Sequence, residues 1–377
     1  MTSYGRTATE DSHAARHAAR RGAVAREALP AETPAAQAAP SVSVVIPCFN
    51  EERFVVEVLE GVARQCEGLC EFEILVVDGM STDGTRDAVA RFAESRPSAR
   101  VRLVDNPARN IPSALNRGIE AARGRFIARM DAHAVPSENY LRDCLAALGR
   151  EGVAVVGMPC RIRPGADTSV ALANAAAVSH PFGIGDAKYR TAGAGQAPSS
   201  QFVDTVPFGV FEKGLWRELG GYDEGLLTNE DYDFNYRVRR GGGGVLLDTS
   251  GYCTYFARPT WAALARQYFR YGTWKARMVR MHPRSVKPRQ LAAPAFVCAL
   301  AVLGAASFWL AAARVLLALM LGAYALLSLA SSLQLARRER ESRILPLVPV
   351  SFLLIHLAWG AGFLLGLAGG PRGGGRG

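Results

Sequence analysis

The feature that most restricts the fold of this chain lies at its C-terminal end. Residues 291–313, 315–335 and 344–369 are three apolar runs, each long enough to cross a bilayer as a helix of about 20 residues. Arg314 is the only charge between the first two. A single helix over residues 291–335 would far exceed one span, so the pattern predicts a tight turn at Arg314 and a helical hairpin. Arg337 to Arg343 form the most basic loop. The positive-inside rule assigns that loop to the cytoplasm, and with it everything ahead of the first span, two crossings earlier. The expectation is a multi-pass protein of the plasma or inner membrane, with its large N-terminal part cytoplasmic and its Gly/Arg tail, 370–377, on the far side.

The 377 residues leave room for one sizeable α/β domain ahead of the membrane part. There are 44 Lys+Arg against 34 Asp+Glu, a net charge of +10. The excess gathers at Arg277, Arg280, Arg284, Lys287 and Arg289, just before the first apolar run, and in the Arg337–Arg343 loop. That placement suits an anionic membrane surface, and no nucleic-acid-binding motif accompanies it. Residues 1–40 are rich in Ala, Arg and Glu and lack an apolar h-region, which predicts a disordered tail and argues against an ordinary secretory signal. The seven cysteines are scattered. Cys66 and Cys70 have no second pair downstream, so the spacing supports neither zinc nor a disulfide framework. Cys48 and Cys298 sit in apolar stretches and read as core thiols, and a reducing compartment is implied.

Between these ends, short apolar runs and helical periodicities alternate. Val42–Ile46, Phe72–Val77, Val101–Val104, Phe126–Met130 and Val153–Gly157 read as strands. Glu51–Cys66, Thr85–Phe92, Ala114–Ala122 and Leu141–Leu148 have helical spacing between them. Such alternation predicts a parallel, doubly wound sheet, whose ligands sit at the C-terminal ends of the strands. Asn50-Glu51-Glu52, Asp78 and Asp131 all fall there, and a fourth acidic point, Glu230-Asp231, opens a helix running to Arg239. Carboxylates gathered at strand ends are what a metal–diphosphate site needs. Residues 160–200 show little periodicity and predict loops, while 201–211 and 244–256 read as β-rich. Trp261, Leu264, Tyr268, Tyr271, Trp274 and Met278 recur at helical spacing among Arg266, Arg270, Lys275 and Arg277. This predicts a basic amphipathic helix lying in the membrane interface or, alternatively, one closing the core. The expected division is 41–258 catalytic domain, 259–290 interfacial segment and 291–369 membrane helices.

Several motifs occur together and in order. Val44-Val45-Ile46-Pro47-Cys48-Phe49-Asn50-Glu51 is followed by Val76-Val77-Asp78-Gly79-Met80-Ser81-Thr82-Asp83-Gly84-Thr85. Ala114-Leu115-Asn116-Arg117-Gly118, Ala122-Arg123-Gly124 and Gly220-Gly221-Tyr222-Asp223-Glu224 continue the series. Over residues 41–275 the chain resembles the family 2 glycosyltransferases of the GT-A fold. Met130-Asp131-Ala132-His133-Ala134 resembles the subgroup linked to succinoglycan-type exopolysaccharide synthesis. Any one of these motifs alone would be weak; the ordered set is specific.

The resemblance implies a nucleotide-sugar donor, most simply a UDP-sugar, bound by Asp78 and by the segment around Pro47, Asn50 and Glu51. Family members often carry two acids at the second strand end; Gly79 stands in the second place here, and Asp83 is the substitute. Asp131 and His133 occupy the place of the family's Asp-x-Asp and would contact a divalent ion, Mn²⁺ or Mg²⁺. Imidazole suits Mn²⁺ better than Mg²⁺; the other reading of His133 is a loop-stabilising histidine. Asp231 matches the family's general base, with Glu230 orienting it or binding the acceptor. Single displacement implies inversion at the sugar carbon. Gln267-Tyr268-Phe269-Arg270-Tyr271 resembles the Gln-x-x-Arg-Trp motif of processive synthases, so Arg270 would reach the donor diphosphate or lipid headgroups. Three spans are few for a polymer channel, which favours transfer of one hexosyl unit to a polyprenyl-diphosphate-linked saccharide in surface-glycan synthesis. Transfer directly to polyprenyl phosphate and an inactive membrane scaffold are the alternatives. A Rossmann oxidoreductase would need Gly-x-Gly-x-x-Gly after the first strand, where Pro47-Cys48-Phe49-Asn50 stands instead.

Overall fold

A computed structural model of the chain describes residues 42–69, 71–192 and 199–369. The predicted N-terminal tail, Cys70 and the 370–377 segment lie outside the described residues. The first half alternates as β1 (Val42–Cys48), α1 (Val55–Cys66), β2 (Phe72–Asp78), α2 (Thr85–Ser95), β3 (Val101–Asp105), α3 (Ile111–Ala121) and β4 (Phe126–Arg129). Then come β5 (Val135–Pro136), α4 (Tyr140–Leu148), β6 (Val153–Gly157), β7 (Cys160–Pro164) and the helices α5 (Ser169–Ala177), α6 (Pro181–Ile184) and α7 (Lys188–Thr191). β8 (Ser200–Phe202), β9 (Val210–Glu212), α8 (Lys213–Glu218), α9 (Glu230–Arg240), β10 (Gly244–Asp248) and β11 (Cys253–Ala257) follow. The chain then becomes helical as α10 (Trp261–Met281), α11 (Pro288–Ala306), α12 (Ala311–Glu339) and α13 (Val348–Ala368).

The main sheet has eight strands in the order β3-β2-β1-β4-β9-β6-β10-β8. β1, β2, β3 and β4 run parallel, in the register Cys48↔Asp78↔Asp105 at their C-terminal ends. Both faces of these strands are covered. Val44, Ile46, Ile74 and Val76 pack under α1, whereas Val45, Leu75 and Val77 pack with Leu115 and Ile119 of α3. Continuous apolar runs are what strands buried on both sides require. Leu59, Ile74, Leu115 and Ile119 are completely buried, each stabilising the domain by about 1.5–3 kcal/mol.

The expectation of an all-parallel sheet is corrected on the other side of β4. There β9 lies antiparallel between β4 and β6, and β8 closes the edge antiparallel to β10. β9 and β8 are three residues each, too short to carry a period of their own. A second sheet, β5-β11-β7, stands beside the first. The helix expected from Glu51 begins at Val55, because the backbone N–H groups of Asn50, Glu51 and Glu52 are taken by side chains of the facing loop.

The 160–200 region, expected to be loops, contains β7 and the Ala-rich α5. Ala171, Ala173, Asn174, Ala175, Ala176 and Ala177 are all buried, so α5 has no polar face and shows no amphipathic period. Asn174 ties it down, donating to the Arg258 carbonyl and accepting from Ser351 Oγ on α13.

α10 spans the predicted amphipathic stretch, and its stripe of Leu264, Tyr268, Gly272, Ala276 and Met278 is covered by protein. It crosses α13 closely: a Cβ on Gly272 would meet the Trp359 carbonyl, and one on Gly362 would meet the backbone of Phe269. α11, α12 and α13 are long and apolar enough to cross a membrane. The hairpin turn falls at Ser307–Leu310 rather than at Arg314, which lies in the first turn of α12. Phe308 and Trp309 stand exposed there, as aromatic residues do at a bilayer surface. Cys298, read as a core thiol, is exposed on α11, since an apolar run looks the same whether protein or lipid covers it.

Candidate active site

The crevice opens where the strand order reverses, between β1 and β4, at the C-terminal ends of the strands. Two loops form one wall. Asn50 is in the left-handed region (φ 55°); its N–H donates to Ser81 Oγ at 2.9 Å and its Oδ1 accepts from Thr82 N at 2.9 Å. Glu51 N donates to Thr85 Oγ1 at 2.8 Å. Asp83, exposed, accepts from Thr85 Oγ1, Thr85 N and Glu52 N; the bonds from Thr85 hold its carboxyl below the usual range. Pro47 is half-buried at the end of β1.

Asp78 points inward. Its side chain is completely buried, with Oδ1 accepting from Ser81 Oγ at 2.5 Å and Oδ2 accepting from Ser81 N at 3.0 Å and Arg86 at 2.7 Å. Arg86 also reaches Asp105 on the next strand, at 2.8 Å. The structure thus places Asp78 beneath the wall, fixing Ser81 and the half-exposed Arg86.

Across the crevice, Arg129 at the end of β4 joins two expected acids. It lies 3.0 Å from Glu230 Oε1 and 3.3 Å from Asp131 Oδ1. Burial works against its charge, but Asp131, Glu230 and Asp231 overcome that and raise its pKa. Glu230 is buried at the start of α9, and burial pushes its carboxyl up against the opposing pull of Arg129. Asp231, half-exposed, accepts from Tyr232 N at 2.7 Å; burial raises its pKa too, despite Arg129. Asn229, in the left-handed region (φ 68°), turns the chain into this helix. The structure therefore brings together Asp131, Glu230 and Asp231, separated by a hundred residues in sequence, around one guanidinium.

Sequence reasoning missed Arg129. Its signal was a charged residue ending the otherwise apolar run Phe126-Ile127-Ala128, which calls for an internal partner. Burial pushes the Cys48 thiol up to about 12, which disfavours its thiolate.

Among the described residues no three His, Cys, Asp or Glu side chains converge to hold a metal ion unaided. The donor set fits an ion shared with a diphosphate, since such ions need only one or two protein carboxylates. Both Arg129 contacts to Asp131 go to Oδ1, leaving Oδ2 open, and one guanidinium among three carboxylates leaves excess negative charge. His133 Nδ1 lies 3.1 Å from Glu51 Oε1, and that bond raises its pKa; Nε2 is the nitrogen open to an ion. Arg270 is exposed on α10, apart from this cluster, whereas Gln267 of the same motif donates to Tyr255 and Tyr271 hydroxyls at 2.9 and 3.0 Å.

With this geometry in place, comparison with known proteins defines the class. Residues 43–211 match the family described as Glycosyl transferase family 2, and this part of the chain is a family 2 glycosyltransferase domain of the GT-A fold. The chain is 29% identical over 331 residues to the succinoglycan biosynthesis protein ExoA of Rhizobium meliloti (strain 1021), covering 85% of this chain and 93% of the relative. It is 26% identical over 243 residues to the dolichyl N-acetyl-α-D-glucosaminyl phosphate 3-β-D-2,3-diacetamido-2,3-dideoxy-β-D-glucuronosyltransferase of Methanococcus voltae, covering 63% and 74% of the two chains. Among solved structures, the mannosyltransferase PcManGT of Pyrobaculum calidifontis, in complex with GDP-Man and Mn²⁺, superposes with a TM-score of 0.59 at 21% identity. That match covers 92% of this chain and 96% of the other, so the likeness in fold extends through the C-terminal helices.

Proposed function

We propose that this chain is a membrane-anchored, inverting glycosyltransferase. It would move one hexosyl unit from a nucleoside-diphosphate sugar to a lipid-linked saccharide during exopolysaccharide or related surface-glycan assembly. The observation that carries the reading is the Arg129 cluster, which sets Asp131 of the donor side against Glu230 and Asp231 of the acceptor side across one crevice. The similarity to ExoA along 85% of the chain supports the pathway, and three helices long enough to span support the anchor.

In this reading the Asn50–Glu52 and Ser81–Thr85 loops hold the nucleotide, with Asp78 acting through the Ser81 and Arg86 it positions. Asp131, with His133 beside it, would hold the divalent cation, which when bound neutralises the departing diphosphate. Asp231 takes the proton from the acceptor hydroxyl as that oxygen attacks the anomeric carbon. Its raised pKa brings it nearer to neutrality and makes it a stronger base than an ordinary carboxylate. Glu230, held by Arg129, keeps the first turn of α9 in place. Arg270 is exposed on α10 and suits headgroups or the donor diphosphate. The basic Arg337–Arg343 segment supports a catalytic domain on the cytoplasmic face.

The test is nucleotide release by membranes containing the full chain, given a panel of UDP- and GDP-sugars with Mn²⁺, Mg²⁺ or a chelator. Release from one donor, dependent on metal and increased by extracted lipid-saccharide, is expected. No release from any donor by folded protein would favour a scaffold without activity.

A further inference from the structure

Arg190, on the short helix α7, is a half-buried cation without a paired carboxylate among the described residues. Four tyrosines, Tyr189, Tyr255, Tyr268 and Tyr271, surround it instead. The guanidinium carbon lies 5.1 Å from the Tyr255 ring centroid and 5.7 Å from that of Tyr189. One terminal nitrogen donates to the Tyr268 hydroxyl at 3.4 Å, while Nε is buried and has no hydrogen-bond partner among the described residues. Leaving a buried N–H of a charged group unmet is costly, so the arrangement calls for a ligand.

The tyrosines define its sign. The hydroxyls of Tyr255 and Tyr271 each accept from Gln267 Nε2, and that of Tyr268 accepts from Arg190. A phenol carries one O–H donor besides its acceptor capacity, so three hydroxyl protons remain to be donated. A guanidinium with three phenolic hydroxyls grouped beside it has the chemistry of an anion cradle. The box also adjoins the catalytic carboxylates. Cys160 lies within the electrostatic reach of Arg190 and of Asp131 and Asp231, and Tyr189 within that of Asp231. Asn229, which leads into Glu230-Asp231, donates to the Tyr271 carbonyl at 3.4 Å.

We propose that the Arg190–tyrosine box binds the phosphate of the lipid that carries the acceptor, setting the acceptor hydroxyl against Asp231. This deepens the proposed function and rests on it. The box is built from β11, α7 and α10, and α10 packs on the apolar helix α13; the nucleotide crevice lies instead at the ends of β1, β2 and β4. An anionic headgroup arriving along the membrane helices therefore meets Arg190, and the donor diphosphate meets Asp131.

The test uses the full chain in detergent micelles, titrated with farnesyl phosphate, with farnesol, and with UDP or GDP in Mn²⁺, followed by intrinsic fluorescence. The wild-type chain should prefer the phosphate to the alcohol. Arg190→Gln should weaken farnesyl phosphate binding about tenfold or more and Tyr255→Phe by a few-fold, with Arg190→Lys intermediate and nucleotide affinity unchanged in all three. Tyr255→Phe keeps the packing and so tests the box even if Arg190→Gln folds poorly. Wild-type-like phosphate binding in both, or an equal loss of nucleotide affinity that assigns the box to the donor, would overturn the inference while leaving the proposed function standing. A wild-type chain that binds nucleotide but shows no preference for the phosphate would remove the lipid-phosphate acceptor itself, and this inference with it.

Discussion

Arg129 and Glu230 meet at 3.0 Å, joining the last residue of β4 to the first residue of α9. The two side chains are 8% and 7% exposed, so water cannot substitute for either partner. The pair fixes the distance between the strand end that presents Asp131 and the helix turn that presents Asp231.

Removing Arg129 should therefore damage fold and activity together. Arg129→Met leaves Glu230 buried without its counter-charge, and breaking such a pair from one side costs about 3–5 kcal/mol. Thermal unfolding should show a large fall in Tm. Adding Glu230→Gln to Arg129→Met should restore much of the Tm but not the transfer rate. A single variant with unchanged Tm would mean the pair does not organise the site.

Asp231→Asn should separate chemistry from binding. Loss of a positioned base lowers the rate by about 10²–10⁴-fold, while nucleotide affinity, assigned to the β1 and β2 loops, should stay within about twofold. Equal losses in both, read by single-turnover transfer and by nucleotide titration, would instead place Asp231 in the donor pocket.

Lys275 offers a pH dependence unconnected with catalysis. It is 3% exposed, lies 3.7 Å from the Tyr232 ring centroid and donates to the Ser285 carbonyl. Burial pushes its ammonium down to about 7, with Asp204 and Asp233 pulling up and Arg289 and Arg239 pushing down. An unfolded lysine keeps its proton to about 10.4. Between those values the unfolded chain binds the extra proton, so this group makes stability rise with pH. Lys275→Met should raise Tm more at pH 6.5 than at pH 9.5; an equal effect at both would show that Lys275 is not depressed.

The α10–α13 crossing should tolerate no side chain. Gly272→Val would drive a branched group into the Trp359 carbonyl, and overpacking of this kind costs about 1–3 kcal/mol. The expected result is a lower Tm and a more protease-sensitive junction between domain and helices. A variant as stable as the wild type would mean that the two helices are not held in close contact.

Much of this site was legible because its parts sit where local rules put them. Asn50, Asp78 and Asp131 end apolar runs, and Glu230-Asp231 opens a helix, so strand and helix periods located them before any pairing was known. What stayed hidden depends on contacts far apart in sequence. The antiparallel insertion of β9 is three residues long and carries no period. α5 is buried all round, which erases the amphipathic signal, and the turn at Ser307–Leu310 involves no charge. The Arg190 box joins three elements that only the fold brings together. Asp78 shows a different limit: the sequence locates a strand-end carboxylate but cannot tell that Ser81 and Arg86 already occupy it.

The central claim is that this chain transfers a sugar with Asp231 as the base. It is tested most directly by following label from the sugar of a nucleotide donor into lipid-extractable product, using membranes containing the full chain and, beside them, membranes containing Asp231→Asn. Metal-dependent labelling of lipid by the wild type, lost in the variant while both bind nucleotide alike, is the predicted result. Labelling that survives in Asp231→Asn, or a folded wild type that labels no lipid with any donor and a supplied lipid-saccharide, would contradict it.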